Sequence, residues 1–189
     1  MNQLLQWLSG NDLRSDGYAT EVAQLVLEND VLLDDLLVGL DNSNPVIRGR
    51  TTDALEKVAR VKPELLLDQL PRLIHLSSVE NPMMVKMHIA MLLGHLLACD
   101  IDGEIIHETL LDLLEENSVF TRSWAIVSLC ILARKFPHLK TQIIEHVVPL
   151  KTNGSIAIRS KADKALRVLL NDDIPFPKGW IKSEHLQDI

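Results

Sequence analysis

The sequence predicts an all-α chain: an array of about four antiparallel helix pairs with a further, divergent pair at its N-terminal end. Three observations carry that expectation. Apolar residues recur at helical period along almost the whole length, and no segment alternates with β-branched enrichment as a strand would. One short spelling opens a helix four times, at intervals of about 37 residues, which is the mark of a repeat array. Leu, Ile and Val dominate the apolar content while aromatics are only 4% of the 189 residues, as expected where aliphatic helices pack on one another.

Residues 1–29 read as the N-terminal pair. Its first helix carries Leu4, Leu5, Trp7 and Leu8, and its second, over residues 18–28, carries Val22, Leu25 and Val26. Four repeats follow, at residues 31–62, 63–100, 101–137 and 138–171. The leading helix of each is an amphipathic stripe. The stripes are Leu32, Leu33, Leu36, Leu37 and Leu40, then Leu66, Leu67, Leu70, Leu73 and Ile74. Ile105, Ile106, Leu110, Leu113 and Leu114 form the third, and Ile143, Ile144, Val147 and Val148 the fourth.

The second helix of each repeat carries the shared spelling. A basic residue stands at Arg48, Lys86, Arg122 and Arg159, and a leucine follows in the same register at Leu55, Leu93, Leu129 and Leu166. Between them lie Thr51, Ala90, Ala125 and Ala162, small enough for a neighbouring helix to approach. Asn44, Asn81, Asn117 and Asn153 precede these helices as expected N-caps, because an Asn side chain accepts a backbone N–H that the first turn leaves free. Pro45 and Pro82 are expected at the first helical position, where proline loses no hydrogen bond. Beyond residue 172 the pattern stops. Residues 173–189 read as a non-helical tail containing Ile174, Phe176, Trp180 and Ile181. So apolar a segment is expected to pack on the helices, either capping the last repeat or reaching the surface between Met87 and Cys130.

A unit of about 37 residues with two helices cannot bury its apolar faces alone, whereas stacked copies can. The x-Arg-x-x-small-x-x-small-Leu signature, repeated over residues 31–171, resembles HEAT repeats. The resemblance implies a right-handed α-solenoid of about four HEAT-like helix pairs in a single domain of residues 1–172, with the second helix of each pair lining the concave side. The stretch Asp12, Leu13, Arg14, Ser15, Asp16, Gly17, joined to the first full repeat, also resembles small prokaryotic HEAT-like proteins. That resemblance implies kinship and no particular function.

Composition bounds the function. The formal net charge is −7, from 19 Lys and Arg against 26 Asp and Glu. Such a balance weighs against a nucleic-acid partner, because phosphate binding draws on clustered cations. The one cationic concentration, Lys151, Arg159, Lys161, Lys164 and Arg167, is interrupted by Asp163 and reads as a charged solvated face. Cys99 and Cys130 lie within or beside apolar runs without CxxC spacing, as buried free thiols of a reducing compartment do. The start from Met1 to Trp7 lacks the basic region of a secretory signal, and the apolar stretches fall far short of the ~20 residues that span a bilayer. A cytoplasmic protein without a membrane segment is expected.

No GxGxxG, P-loop, HExxH or GxSxG motif occurs, so no catalytic set, cofactor or metal is expected. Deoxyhypusine hydroxylase, of similar architecture, binds iron through repeated His-Glu pairs, whereas His107-Glu108 stands alone here and reads as a solvated pair. His88 and His95 would stand about 10 Å apart along a helix, too far for one ion, and read as packed or hydrogen-bonded histidines. The ladder of Arg48, Lys86, Arg122 and Arg159 is expected to pair with linker acids, Asp41 and Glu116 among them.

Function is therefore expected from a surface. Counting 100° per residue, the positions facing away from the partner helix are Gly49, Thr52, Asp53, Glu56 and Arg60 in the first repeat. In the fourth they are Ser160, Asp163, Lys164, Arg167 and Asn171. Both sets are polar, as exposed faces should be. The middle repeats place Met87, Ala90, Met91, Gly94 and Ala98, then Ser123, Ile126, Val127, Cys130 and Arg134, at the same positions. A helix apolar all round is either buried, here by tight curvature, or part of a binding surface, and methionines suit an adaptable one. The expected function is a non-enzymatic protein-binding module or scaffold that takes a helix or extended peptide. Its face would be Met87, Met91, Gly94, Ser123, Ile126, Val127, Cys130 and Arg134, rimmed by Asp53, Glu56, Arg60, Lys164 and Arg167. The alternatives are a nucleic-acid-associated protein using the patch from Lys151 to Arg167, and a small-molecule or chromophore carrier or lyase subunit using the same groove.

Overall fold

The computed structural model describes residues 2–12 and 15–189, and every regular element among them is helical. Met1 lies outside the described residues, as do Leu13 and Arg14 of the stretch that resembles small prokaryotic proteins. The α-helices are α1 (Gln3–Trp7), α2 (Ala19–Glu28), α3 (Leu33–Leu37), α4 (Pro45–Val61), α5 (Leu70–Ser78) and α6 (Met83–Leu96). Then come α7 (Gly103–Leu114), α8 (Val119–Lys135), α9 (Lys140–Val147), α10 (Leu150–Asn153) and α11 (Ile156–Leu170). Single 3-10 segments lead into α3, α5 and α9 (Asp30–Leu32, Pro63–Gln69, Pro137–Leu139), and another follows α3 (Val38–Asp41). None of these helices is long and apolar enough to cross a membrane.

Helices α2, α4, α6, α8 and α11 pack each on the next. The shorter helices back them: α3 on α4, α5 on α6, α7 on α8, and α9 and α10 on α11, with α1 against α3 and α5 against α7. The repeated spelling is what lets the long helices meet. Leu55, Leu93 and Leu129 are fully buried and Leu166 nearly so, and Thr51, Ala90, Ala125 and Ala162 are fully buried beside them. Helices α6 and α8 approach closely, the Ser128 hydroxyl donating to the Ala90 carbonyl at 2.6 Å. A Cβ added to Gly94 would stand 2.5 Å from the same hydroxyl oxygen.

The caps differ from expectation at three of four helices. Asn44 accepts the Val46 N–H at 2.9 Å as predicted. Helix α6 begins after Pro82, which occupies the cap position rather than the first helical one, and Asn81 instead accepts from Arg48 Nε at 3.2 Å. Ser118 and Ser155 replace Asn117 and Asn153, accepting the N–H groups of Thr121 and Ile158. Serine caps as well as asparagine, so packing decided where each helix starts. Pro149, which has no N–H, separates α9 from α10.

Three of the four ladder residues are structural, two of them with partners other than the expected acids, while Arg159 is exposed. Lys86 meets Glu116 at 2.6 Å as expected. Arg48 misses Asp41, which takes Arg72, and donates to the carbonyls of Asn42 and Ser43 at 2.8 and 3.1 Å. Arg122 donates to the Leu114 carbonyl at 2.9 Å. A further buried cation, Arg50, was not singled out in the sequence. It donates to the backbone carbonyls of Leu8, Ser9, Asp12 and Ser15, tying the segment between α1 and α2 to α4.

Candidate functional site

The residues expected to line one face fall into three environments. Met91, Gly94, Ile126, Val127 and Cys130 are buried, and Met87, Ser123 and Arg134 are half-buried. Lys164 and Arg167 are exposed, as the fourth repeat was expected to be. The first repeat departs from its expected open rim: Gly49, Thr52, Asp53 and Glu56 are buried and Arg60 is half-buried. Gly94 belongs to the α6–α8 contact described above rather than to an open surface. Burial pushes the Cys130 thiol up to about 12, so it packs as a small apolar side chain.

The first-repeat acids are buried because α6 brings two histidines to them. His95 Nε2 lies 2.9 Å from Glu56 Oε1, and Arg60 donates to both oxygens of the same carboxylate through Nε at 3.0 Å and Nη2 at 2.5 Å. Burial alone would raise the Glu56 pKa. The hydrogen bonds and charges of His95 and Arg60 outweigh it and hold the carboxyl down at about 2. One turn earlier on α4 and two turns earlier on α6, His88 Nε2 lies 3.5 Å from Asp53, which also takes Lys57. Burial lowers the His88 pKa, and the carboxylates of Asp53 and Glu56 oppose that only in part. The two histidines are thus packed or hydrogen-bonded as expected, His95 on Glu56 and His88 buried near Asp53, with partners the spacing could not supply. Among the described residues, His95 Nδ1 has no hydrogen-bond partner. His107 is buried, not part of a solvated pair as expected, while Glu108 is exposed.

The C-terminal segment lies over this region. After α11 it runs non-helically except for a 3-10 turn at Glu184–Leu186. Arg134, at the end of α8, donates to the carbonyls of Asp172 and Ile174 at 2.8 and 3.2 Å and stacks 5.0 Å from the Phe176 ring centre. Trp180 is 6% exposed, with Lys161 of α11 4.8 Å from its ring centre. Lys182 Nζ stands 4.6 Å from the ring centre of Trp124 on α8. Burial lowers the Lys182 pKa; the charges of Glu56 and Asp53 oppose that, and those of Arg60 and Lys57 add to it. Finally, the Ser183 hydroxyl donates to the Arg60 carbonyl at 3.3 Å and His185 Nε2 donates to the Val61 carbonyl at 2.6 Å, both at the end of α4. Leu186 is buried.

The segment was expected to cap the last repeat or to reach the surface between Met87 and Cys130; it packs along α11 and the side of α8 and then crosses to the end of α4 instead. Trp180 was legible as an anchor. Lys161, Trp124, Lys182, Ser183 and His185 were not, because nothing local marks a lysine that will sit over an indole contributed by another element. The cationic patch is also reorganised. Asp163 pairs with Lys151 at 3.2 Å and with Arg167 at 2.8 Å, and Lys161 is half-buried between Trp124 and Trp180. Among the described residues, no group of three or more His, Cys, Asp or Glu side chains could hold a metal ion.

No family model matches this chain. No curated protein matches it either. Among solved structures it is similar to the crystal structure of an engineered protein, at 17% identity and a TM-score of 0.60, over 89% of this chain and 80% of that one. At that identity the likeness concerns the all-helical fold alone.

Proposed function

We propose that this chain is a HEAT-like α-solenoid whose face across α4, α6, α8 and α11 binds a protein segment, without catalysis. The serial packing of the long helices and the four copies of one spelling support the repeat reading. One observation carries the binding reading: the face holds an extended segment of the chain by side-chain anchors, with one aromatic residue buried among the helices. A surface that accommodates an extended peptide in this way has the means to bind one in general. The pairing of Lys151 and Arg167 with Asp163 argues against a polyanion.

The accessible part of the face is Met87, Ser123, Lys164 and Arg167. Capture of partners from native cell extract by the wild-type chain, and by a Met87→Asp/Lys164→Glu variant, tests the reading. A protein retained by the wild type and lost by the variant supports it. Equal retention by both chains, or salt-sensitive retention of nucleic acid alone, would overturn it.

A further inference from the structure

The C-terminal segment also specifies what chemistry its site accepts. Its anchors come in a fixed order: Trp180 beneath Lys161, Lys182 over Trp124, Ser183 on the Arg60 carbonyl, and Leu186 buried. Each meets a complementary group. The indole fills an apolar position and offers its face to a cation. The lysine lies over the face of the Trp124 indole. The hydroxyl and His185 reach carbonyls at the end of α4, where a helix leaves acceptors without intrahelical donors.

The way the segment is fastened matters as much as its sequence. Among the described residues, no backbone-to-backbone hydrogen bond joins residues 175–189 to the helices. An added strand or helix would be locked by its main chain. This segment is held by side chains alone, so the site reads side chains, and a chain presenting the same ones could replace it.

We propose that the face bounded by α4, α8 and α11 is a docking site for an extended peptide of stated chemistry. That peptide carries an aromatic residue, a cation two positions later and an aliphatic residue four positions after that, and residues 176–186 fill the site as an internal competitor. The proposal rests on the protein-binding reading and deepens it. Tethering gives the internal segment an effective concentration of order millimolar, so a partner binds more weakly to the intact chain than to the open site.

The test uses the full chain and a fluorescein-labelled synthetic peptide of residues 173–189, followed by anisotropy. The Trp180→Ala/Leu186→Ala variant, whose own segment is weakened, is expected to bind the peptide at least about tenfold more tightly than wild type. A peptide carrying Lys182→Glu is expected to lose about tenfold or more in affinity for that variant. Equal, weak binding by both chains, with each still melting cooperatively, would overturn the proposal. Should the double variant not fold, hydrogen exchange on the wild type decides. Amides of residues 174–189 are expected to exchange at least about a hundredfold faster than those of α6 and α8, through opening of the segment alone. Exchange in step with α8 would make the segment a permanent part of the core and end the proposal. Concentration-dependent dimers seating one chain's segment in another would assign the site to a second copy and likewise overturn it. Failure of peptide binding alongside partner capture through Met87 and Lys164 would remove the competitor and leave the protein-binding reading standing.

Discussion

Glu56 concentrates the buried charge of this molecule. It is fully buried on α4, yet His95 and Arg60 together hold it ionised, so removing either leaves a carboxylate without compensation in a dry site. Its folded pKa of about 2 lies below its ordinary 4.5, so it contributes stability above about pH 4.5 that is lost as pH falls toward 2. His88 acts in a higher window. Its folded pKa is lowered from 6.5, so its neutral form stabilises the fold above that pH, and the contribution declines as pH falls below it. Thermal melts are expected to show a lower Tm at pH 5.5 than at 7.5, with a smaller difference in His88→Gln. Below pH 4.5 the loss should be shallower in Glu56→Gln than in wild type. A pH dependence unchanged by either substitution would show that these groups do not control it. Gly94 is a packing counterpart. Gly94→Ala is expected to destabilise by about 1–3 kcal/mol through overpacking against Ser128, with part of the loss recovered by Ser128→Ala. Additive effects in denaturant unfolding would show that the two positions are not in contact.

Cations from one element satisfy carbonyls of another throughout the chain. Lys62 reaches the Leu27 carbonyl at the end of α2 at 2.9 Å, and Lys135 reaches the Leu97 and Cys99 carbonyls beyond α6. Arg134 does the same for the segment after α11, and at the end of α4 the Ser183 hydroxyl and the His185 ring N–H supply donors of another kind. Helix ends leave carbonyls without donors, and a positive side chain there also opposes the helix dipole. Arg50 is the strongest case, because all its bonds hold one segment, between α1 and α2. Arg50→Met is expected to destabilise by about 2–4 kcal/mol, and to raise hydrogen exchange in α1 and α2 before α6 and α8. Uniform protection across all helices in that variant would refute a local anchoring role. The caps show the limit of reading such features from sequence. Asn44 was identified correctly, but Ser118 and Ser155 are equally able caps one or two positions away from the expected asparagines. Local preference is nearly degenerate there, and the packing of each helix breaks the tie.

One hydrophobic cluster runs from Leu4 to Leu186, so Trp180 and Leu186 of the C-terminal segment pack against the helical core even though the segment is not helical. Leu186→Ala is therefore expected to destabilise by about 2–5 kcal/mol, as a core leucine would, which equilibrium unfolding can measure. The difference spectrum between wild type and Trp180→Phe should report an indole shielded from acrylamide. A freely quenched Trp180 would contradict the structure. By itself the sequence determined the helical class, the four second-helix starts to within a residue or two, and the burial of Leu55, Leu93, Leu129 and Leu166. Those features depend on period and local spacing, which a repeat states several times over. Only the tertiary structure decided that Asp53 and Glu56 are buried rather than exposed. The facing count along α4 could not include His88 and His95 from α6, nor Ser183 and His185 from a segment more than a hundred residues away. The partners of a charged side chain are set by which elements meet in space, and spacing along one helix carries no record of that.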